Sequence, residues 1–124
     1  MTATKQILVV EDDARQAFLT QMFLEAHGFT VHTVSTGVAA LTYAAESPLD
    51  LVILDVGLPD IHGFQVAQEL RQLSNSWGLP ILMLTGLDKP IDELRGFAHG
   101  ADAFLTNHCS PDELLTSVRS LVGA

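Results

Sequence analysis

The sequence has 124 residues, with 15 acidic against 6 basic side chains, a formal net charge of −9, 48% apolar residues and a single cysteine. That length predicts one domain over residues 1–124 with nothing attached, able to bury a core without a staple. The charge argues against nucleic acid or an anionic membrane as main partner, and lone Cys109 excludes an internal disulfide or a multi-thiolate metal site. Apolar runs reach only four residues, too short for a bilayer, and the first residues lack the apolar stretch of a secretion signal, so the expected setting is the reducing cytoplasm.

Along the chain, short β-branched or Leu-rich runs at residues 7–10, 30–34, 51–54, 81–84 and 103–105 alternate with segments of helical period. The runs at 7, 51 and 81 are continuously apolar, as parallel strands covered on both faces must be. The first helical segment offers Leu19, Met22, Phe23 and Ala26 as a buried stripe and ends at Gly28; the second offers Val38, Leu41 and Ala45. The third carries Val66, Leu70 and Leu73. The fourth, opened by Pro90 and stopped at Gly100, carries Ile91, Leu94, Phe97 and Ala98. The fifth opens with Ser110-Pro111-Asp112-Glu113, a capping box with proline at the first helical position, and buries Leu114, Leu115, Val118 and Val122. Five βα units predict an α/β fold: a doubly wound, five-stranded parallel sheet of flavodoxin-like (βα)5 type.

In such a sheet, chemistry collects beyond the carboxyl ends of the central strands. Glu11-Asp12-Asp13 follow the first run, Asp55 the third, Thr85-Gly86 the fourth and Thr106-Asn107 the fifth. Carboxylates converging at ~5 Å repel by roughly 3 kcal/mol per pair at an effective dielectric of ~20. A hard divalent cation offsets this, and Mg²⁺ suits two carboxylates and a carbonyl. Alone, the triplet reads equally well as a solvated, helix-capping turn, but Asp55 after four apolar residues stands where burial penalises charge. A carboxylate beside bound Mg²⁺ acts electrostatically or as a nucleophile toward phosphorus. Thr85 is either a strand terminus bonded to backbone or a hydroxyl donor to a phosphoryl oxygen, with room left by Gly86.

The pattern resembles the receiver domain of two-component response regulators. The resemblance rests on Glu11-Asp12 after the first strand, Asp55 after Leu51-Val-Ile-Leu, Leu58-Pro59-Asp60 with Gly63, and Leu84-Thr85. It implies that Asp55 takes a phosphoryl group from a histidine kinase or histidine phosphotransfer protein. It further implies Mg²⁺ held by Asp12, Asp55 and the Gly57 carbonyl, with Glu11 acting mainly through water and Asp13 the lesser candidate ligand. Phe104 falls at the aromatic switch position, and an output or dimer partner would meet the fourth helix, fifth strand and fifth helix. Such a module is a signalling domain rather than an enzyme, with no nucleic acid or membrane contact of its own.

One departure stands out. The family usually places a lysine and a proline after the fifth strand, and here Asn107, His108 and Cys109 follow Thr106. An asparagine amide donates hydrogen bonds without supplying charge, which weakens the expected coupling to the fifth strand. His108 is read as an exposed loop residue in preference to a partly protonated substitute for the lysine, and Cys109 as a small hydrophobe under the last helix. The alternative is a degenerate receiver that binds proteins without phosphorylation. An aspartate-nucleophile phosphatase fits poorly, because Gly57 stands where the leaving-group acid belongs.

Overall fold

The computed structural model describes residues 4–73, 78–85, 100–106 and 109–123. In chain order these form β1 (Gln6–Val10), α1 (Ala14–Ala26), β2 (Thr30–Val34), α2 (Gly37–Glu46), β3 (Leu51–Leu54), α3 (Gly63–Leu70), β4 (Ile81–Thr85), β5 (Ala103–Thr106) and α4 (Pro111–Val122). The fourth predicted helix, with Pro90, Ile91, Leu94, Phe97 and Ala98, lies outside the described residues, so α4 here is the C-terminal helix.

The strands form one sheet of order β2-β1-β3-β4-β5, parallel at every pairing. The continuous apolar runs are buried on both faces. Leu8, Val10, Val52 and Leu54 point into a layer with Ala40, Ala44, Val66 and Leu70, while Ile7, Val9, Leu51 and Ile53 meet Leu24, Leu114, Leu115 and Val118. Thus α2 and α3 cover one face, and α1 and α4 the other. The chain reverses direction of growth between β1 and β3, and the crevice of a doubly wound sheet opens there.

Two predicted stripes are corrected. In α1, Leu19 and Met22 are 51% and 53% exposed and Ala26 is exposed too, while Ala17 and Leu24 are buried and Phe23 half-buried. In α2, Val38 is 56% exposed and Ala45 exposed, and the helix seats through Gly37, Ala40 and Ala44. Helix α2 approaches the sheet through small residues, which let the backbone come close but register weakly as hydrophobic, and α1 does so at Ala17 while Leu24 anchors it. The α3 and α4 stripes run as predicted, with Leu73 and Val122 at their half-buried ends. The capping box of α4 is present, Ser110 Oγ accepting from the Glu113 N–H at 3.1 Å and Glu113 Oε1 from the Ser110 N–H at 3.3 Å.

At the amino ends of β4 and β5, Arg71 forms a clamp. Its guanidinium donates to the carbonyls of Leu79 and Gly100, at 3.0 and 2.7 Å for the two bonds to Gly100, and pairs with Asp102. Asp102 Oδ2 also accepts the Ile81 N–H at 2.8 Å.

Candidate functional site

Pairing of β1 with β3 places Val10 beside Leu54, so the residues that follow emerge side by side. The Asp55 N–H extends this ladder, donating to the Val10 carbonyl at 3.0 Å. In consequence one carboxylate oxygen from each of Glu11, Asp12 and Asp55 lies within 4.8 Å of the others. The Asp13 carboxylate takes no part, although the Asp13 N–H donates to Glu11 Oε2 at 3.2 Å. Asp13 Oδ1 accepts from the Arg15 and Gln16 N–H groups at 2.9 and 3.2 Å and caps α1. The capping reading therefore holds for Asp13, while Glu11 and Asp12 converge on Asp55.

The cluster is electrostatically uncomfortable by itself. Partial burial, a hydrogen bond shared with Asp55 and the like charge of Asp55 push the Glu11 carboxyl up to about 8. The donor set fits Mg²⁺: in an octahedron with metal–oxygen distances of ~2.1 Å, ligand oxygens stand ~3.0 Å apart when adjacent and ~4.2 Å when opposite. The three oxygens lie within 4.8 Å of one another, a spread on the scale of those separations.

The loop after β3 holds Asp55 in place. Asp55 Oδ1 accepts from the Gly57 N–H at 3.1 Å, and the Gly63 N–H donates to the Val56 carbonyl at 2.8 Å. Gly63 starts α3 directly against this backbone, where a Cβ would stand 2.5 Å from Val56 Cα and 2.6 Å from the Asp55 oxygen. His62 Nδ1 accepts from the Phe64 N–H at 3.2 Å and caps α3. Asp60 does something sequence reasoning missed: its Oδ1 accepts from the Gly37 N–H at 2.8 Å and its Oδ2 from the Val38 N–H at 3.0 Å. These two amides hold the Asp60 carboxyl below its usual range. No local pattern announces the contact, because the donors lie in another βα unit.

On the other side of the crevice, Thr85 closes β4 and its backbone pairs with Thr106 of β5. Phe104 is half-buried against the core layer of α2 and α3. Cys109 packs, half-buried, against the opposite layer, and burial pushes its thiol up. Gly86, Asn107 and His108 lie outside the described residues.

The family model for the response regulator receiver domain matches residues 7–119. The alkaline phosphatase synthesis transcriptional regulatory protein PhoP of Bacillus subtilis is 40% identical over 118 residues, 95% of this chain and 48% of its own length. The chain spans about half the length of the curated relatives it matches. Among solved structures, the chemotaxis response regulator CheY4 of Vibrio cholerae superposes with a TM-score of 0.91 at 29% identity, covering 96% of this chain and 99% of that one. The receiver domain of sensor histidine kinase PA1611 from Pseudomonas aeruginosa, with a magnesium ion coordinated in its active-site cleft, gives a TM-score of 0.90 at 25% identity, covering 98% and 100%. Sequence and fold agree over nearly the whole length, and the chain belongs to the response regulator receiver domain family.

Proposed function

We propose that Asp55 accepts a phosphoryl group from the phosphohistidine of a cytoplasmic histidine kinase or histidine phosphotransfer protein, in a step that needs Mg²⁺. The observation that carries this reading is the convergence of Glu11, Asp12 and Asp55 where the sheet reverses. Asp12, Asp55 and the Gly57 carbonyl would hold the metal, with Glu11 acting through water. Bound there, Mg²⁺ supplies charge neutralisation for the transferred phosphoryl oxygens. The magnesium in the Pseudomonas receiver supports the assignment.

The Gly57 N–H fixes the rotation of the Asp55 carboxylate through Oδ1. An Asp55 oxygen attacks phosphorus, the P–N bond to imidazole breaks, and its electron pair returns to the ring nitrogen, which takes a proton from water. The Thr85 hydroxyl donates to a phosphoryl oxygen, and Phe104 follows as the switch. Asn107 supplies amide donors where a lysine would supply charge, so coupling to the fourth predicted helix, β5 and the C-terminal α4, the surface for an output or dimer partner, is weak.

Mass spectrometry after incubation with acetyl phosphate and Mg²⁺ should show one adduct that Asp55→Asn abolishes. An adduct that survives this change, or none in the unaltered chain at any donor concentration, overturns the reading and favours a phosphorylation-independent binding module. Asn107→Lys should restore roughly 1.5–3 kcal/mol of differential stabilisation. It should thereby enlarge the chemical-shift response to beryllofluoride around Phe104 and Leu114 while leaving that near Asp55 alone; equal responses refute the weak coupling.

A further inference from the structure

The loop that leaves Asp55 is tied at both ends. Its first tie is the Gly57 N–H on Asp55 Oδ1, and its last is the Asp60 carboxylate spread across the Gly37 and Val38 N–H groups. Only Leu58 and Pro59 lie between. Leu58 packs against the core, and the proline ring fixes its own φ, so the segment has little slack in which to absorb a displacement. We propose that Asp60 is a relay that carries the occupancy of the Asp55 pocket to the first turn of α2, making the exposed face of α2 a surface that reports the state of the domain. This rests on the phosphoacceptor reading, since that reading gives Asp55 two states.

The receiving end is built without play. Gly37 has no side chain, and a Cβ there would stand 2.8 Å from Val66 Cγ2 and 3.1 Å from Ile61 Cβ, so the first turn of α2 sits directly on the loop and α3. Of the first three N–H groups of α2, two are held by Asp60 and the third, of Ala39, by Thr36 Oγ1 at 3.1 Å. A carboxylate at this place also complements the helix dipole. When an Asp55 oxygen turns to a cation or carries a phosphoryl group, the Gly57 amide must follow it or lose it, and the loop passes the change to Asp60. Val38, exposed on that turn, takes it to solvent. A cap with a purely structural role would hold α2 equally in both states.

Amide NMR spectra of the full chain, titrated with Mg²⁺ and then beryllofluoride, test the relay. The Asp55 and Gly57 amides should shift, and those of Gly37, Val38 and Ala39 should shift with the same midpoint. In Asp60→Ala the pocket amides should still respond and the α2 amides should not, while hydrogen exchange at Leu41 quickens about fivefold in both states. Asp60→Asn, which keeps one acceptor, should respond in between. Silent α2 amides beside responding pocket amides in the unaltered chain overturn the relay alone, as does an undiminished α2 response in Asp60→Ala. If the pocket amides themselves stay silent, the phosphoacceptor reading falls and the relay with it.

Discussion

Gly63 starts α3 on the very backbone that carries Asp55, so Gly63→Ala strains the helix and the site together. The added Cβ would meet Val56 Cα at 2.5 Å, the Asp55 carbonyl oxygen at 2.6 Å and the Val56 oxygen at 3.1 Å. Carbon contacts settle at ~3.5–4.0 Å, so the two backbones must part by about 1 Å. Neither retreats easily, because Val66, Ala67 and Leu70 anchor α3 with no exposure and Val56 is buried as well. Overpacking of this kind destabilises by about 1–3 kcal/mol or somewhat more, and the better helix propensity of alanine returns at most ~1 kcal/mol. The net loss should be about 2 kcal/mol, a fall in Tm of about 6–12 °C. Gly57→Ala is the control from the same loop. Its Cβ meets nothing nearer than Asp55 Oδ1 at 4.0 Å and its φ is not positive, so its stability should stay within ~0.5 kcal/mol. Urea denaturation should show a lower midpoint at unchanged slope for Gly63→Ala, and acetyl phosphate labelling of Asp55 should slow. If Gly63→Ala proves as stable as Gly57→Ala, the loop recedes freely and the reasoning fails.

Relieving like charge should stabilise the metal-free fold, so Asp12→Asn should melt higher than the unaltered chain in EDTA by about 1 kcal/mol. Millimolar Mg²⁺ should raise the Tm of the unaltered chain and do little for Asp12→Asn; a chain indifferent to Mg²⁺ has no such site. The Glu11 carboxyl, at about 8 in the fold against an ordinary 4.5, keeps its proton in the folded state where the unfolded chain has lost it. Metal-free stability should therefore fall as pH rises between those values, and denaturation midpoints in Glu11→Gln should vary less with pH; identical profiles would refute the shift. Arg71→Lys keeps the charge but not the fork that reaches Leu79, Gly100 and Asp102, and should lose about 1–3 kcal/mol with faster exchange at the Ile81 and Asp102 amides. A fully stable Arg71→Lys would show that the charge alone suffices.

The strands were legible in the sequence because burial on both faces leaves continuous apolar runs, and β1, β3 and β4 each contain one. The cap of α4 was legible because all its partners are within four residues. The meeting of Glu11 and Asp12 with Asp55 followed from topology, since parallel strands in register end together. Periodicity failed in α1 and α2: hydrophobicity ranks Leu19 above Ala17 and Val38 above Ala40, yet α2 seats through Gly37, Ala40 and Ala44, and α1 through Ala17 together with Leu24. The bond from Asp60 to α2 was invisible for another reason. A carboxylate after a proline looks like any exposed loop acid, and only the tertiary fold brings helix amides to it.

The Arg71 clamp gives β5 the mechanics of a cantilever. Its root, at Gly100 and Asp102, is bolted to the end of α3 and the start of β4, whereas its tip at Thr106 reaches the crevice. A force at the tip bends the strand about its root instead of sliding it along β4, because sliding would break the paired hydrogen bonds between Ile81 and Asp102. Leu105 and Thr106, which lie on the ladder to β4 beyond the clamp, should therefore yield more readily than Ala103 beside the root. Stiffness at one end of the sheet thereby sets the direction of motion at the other.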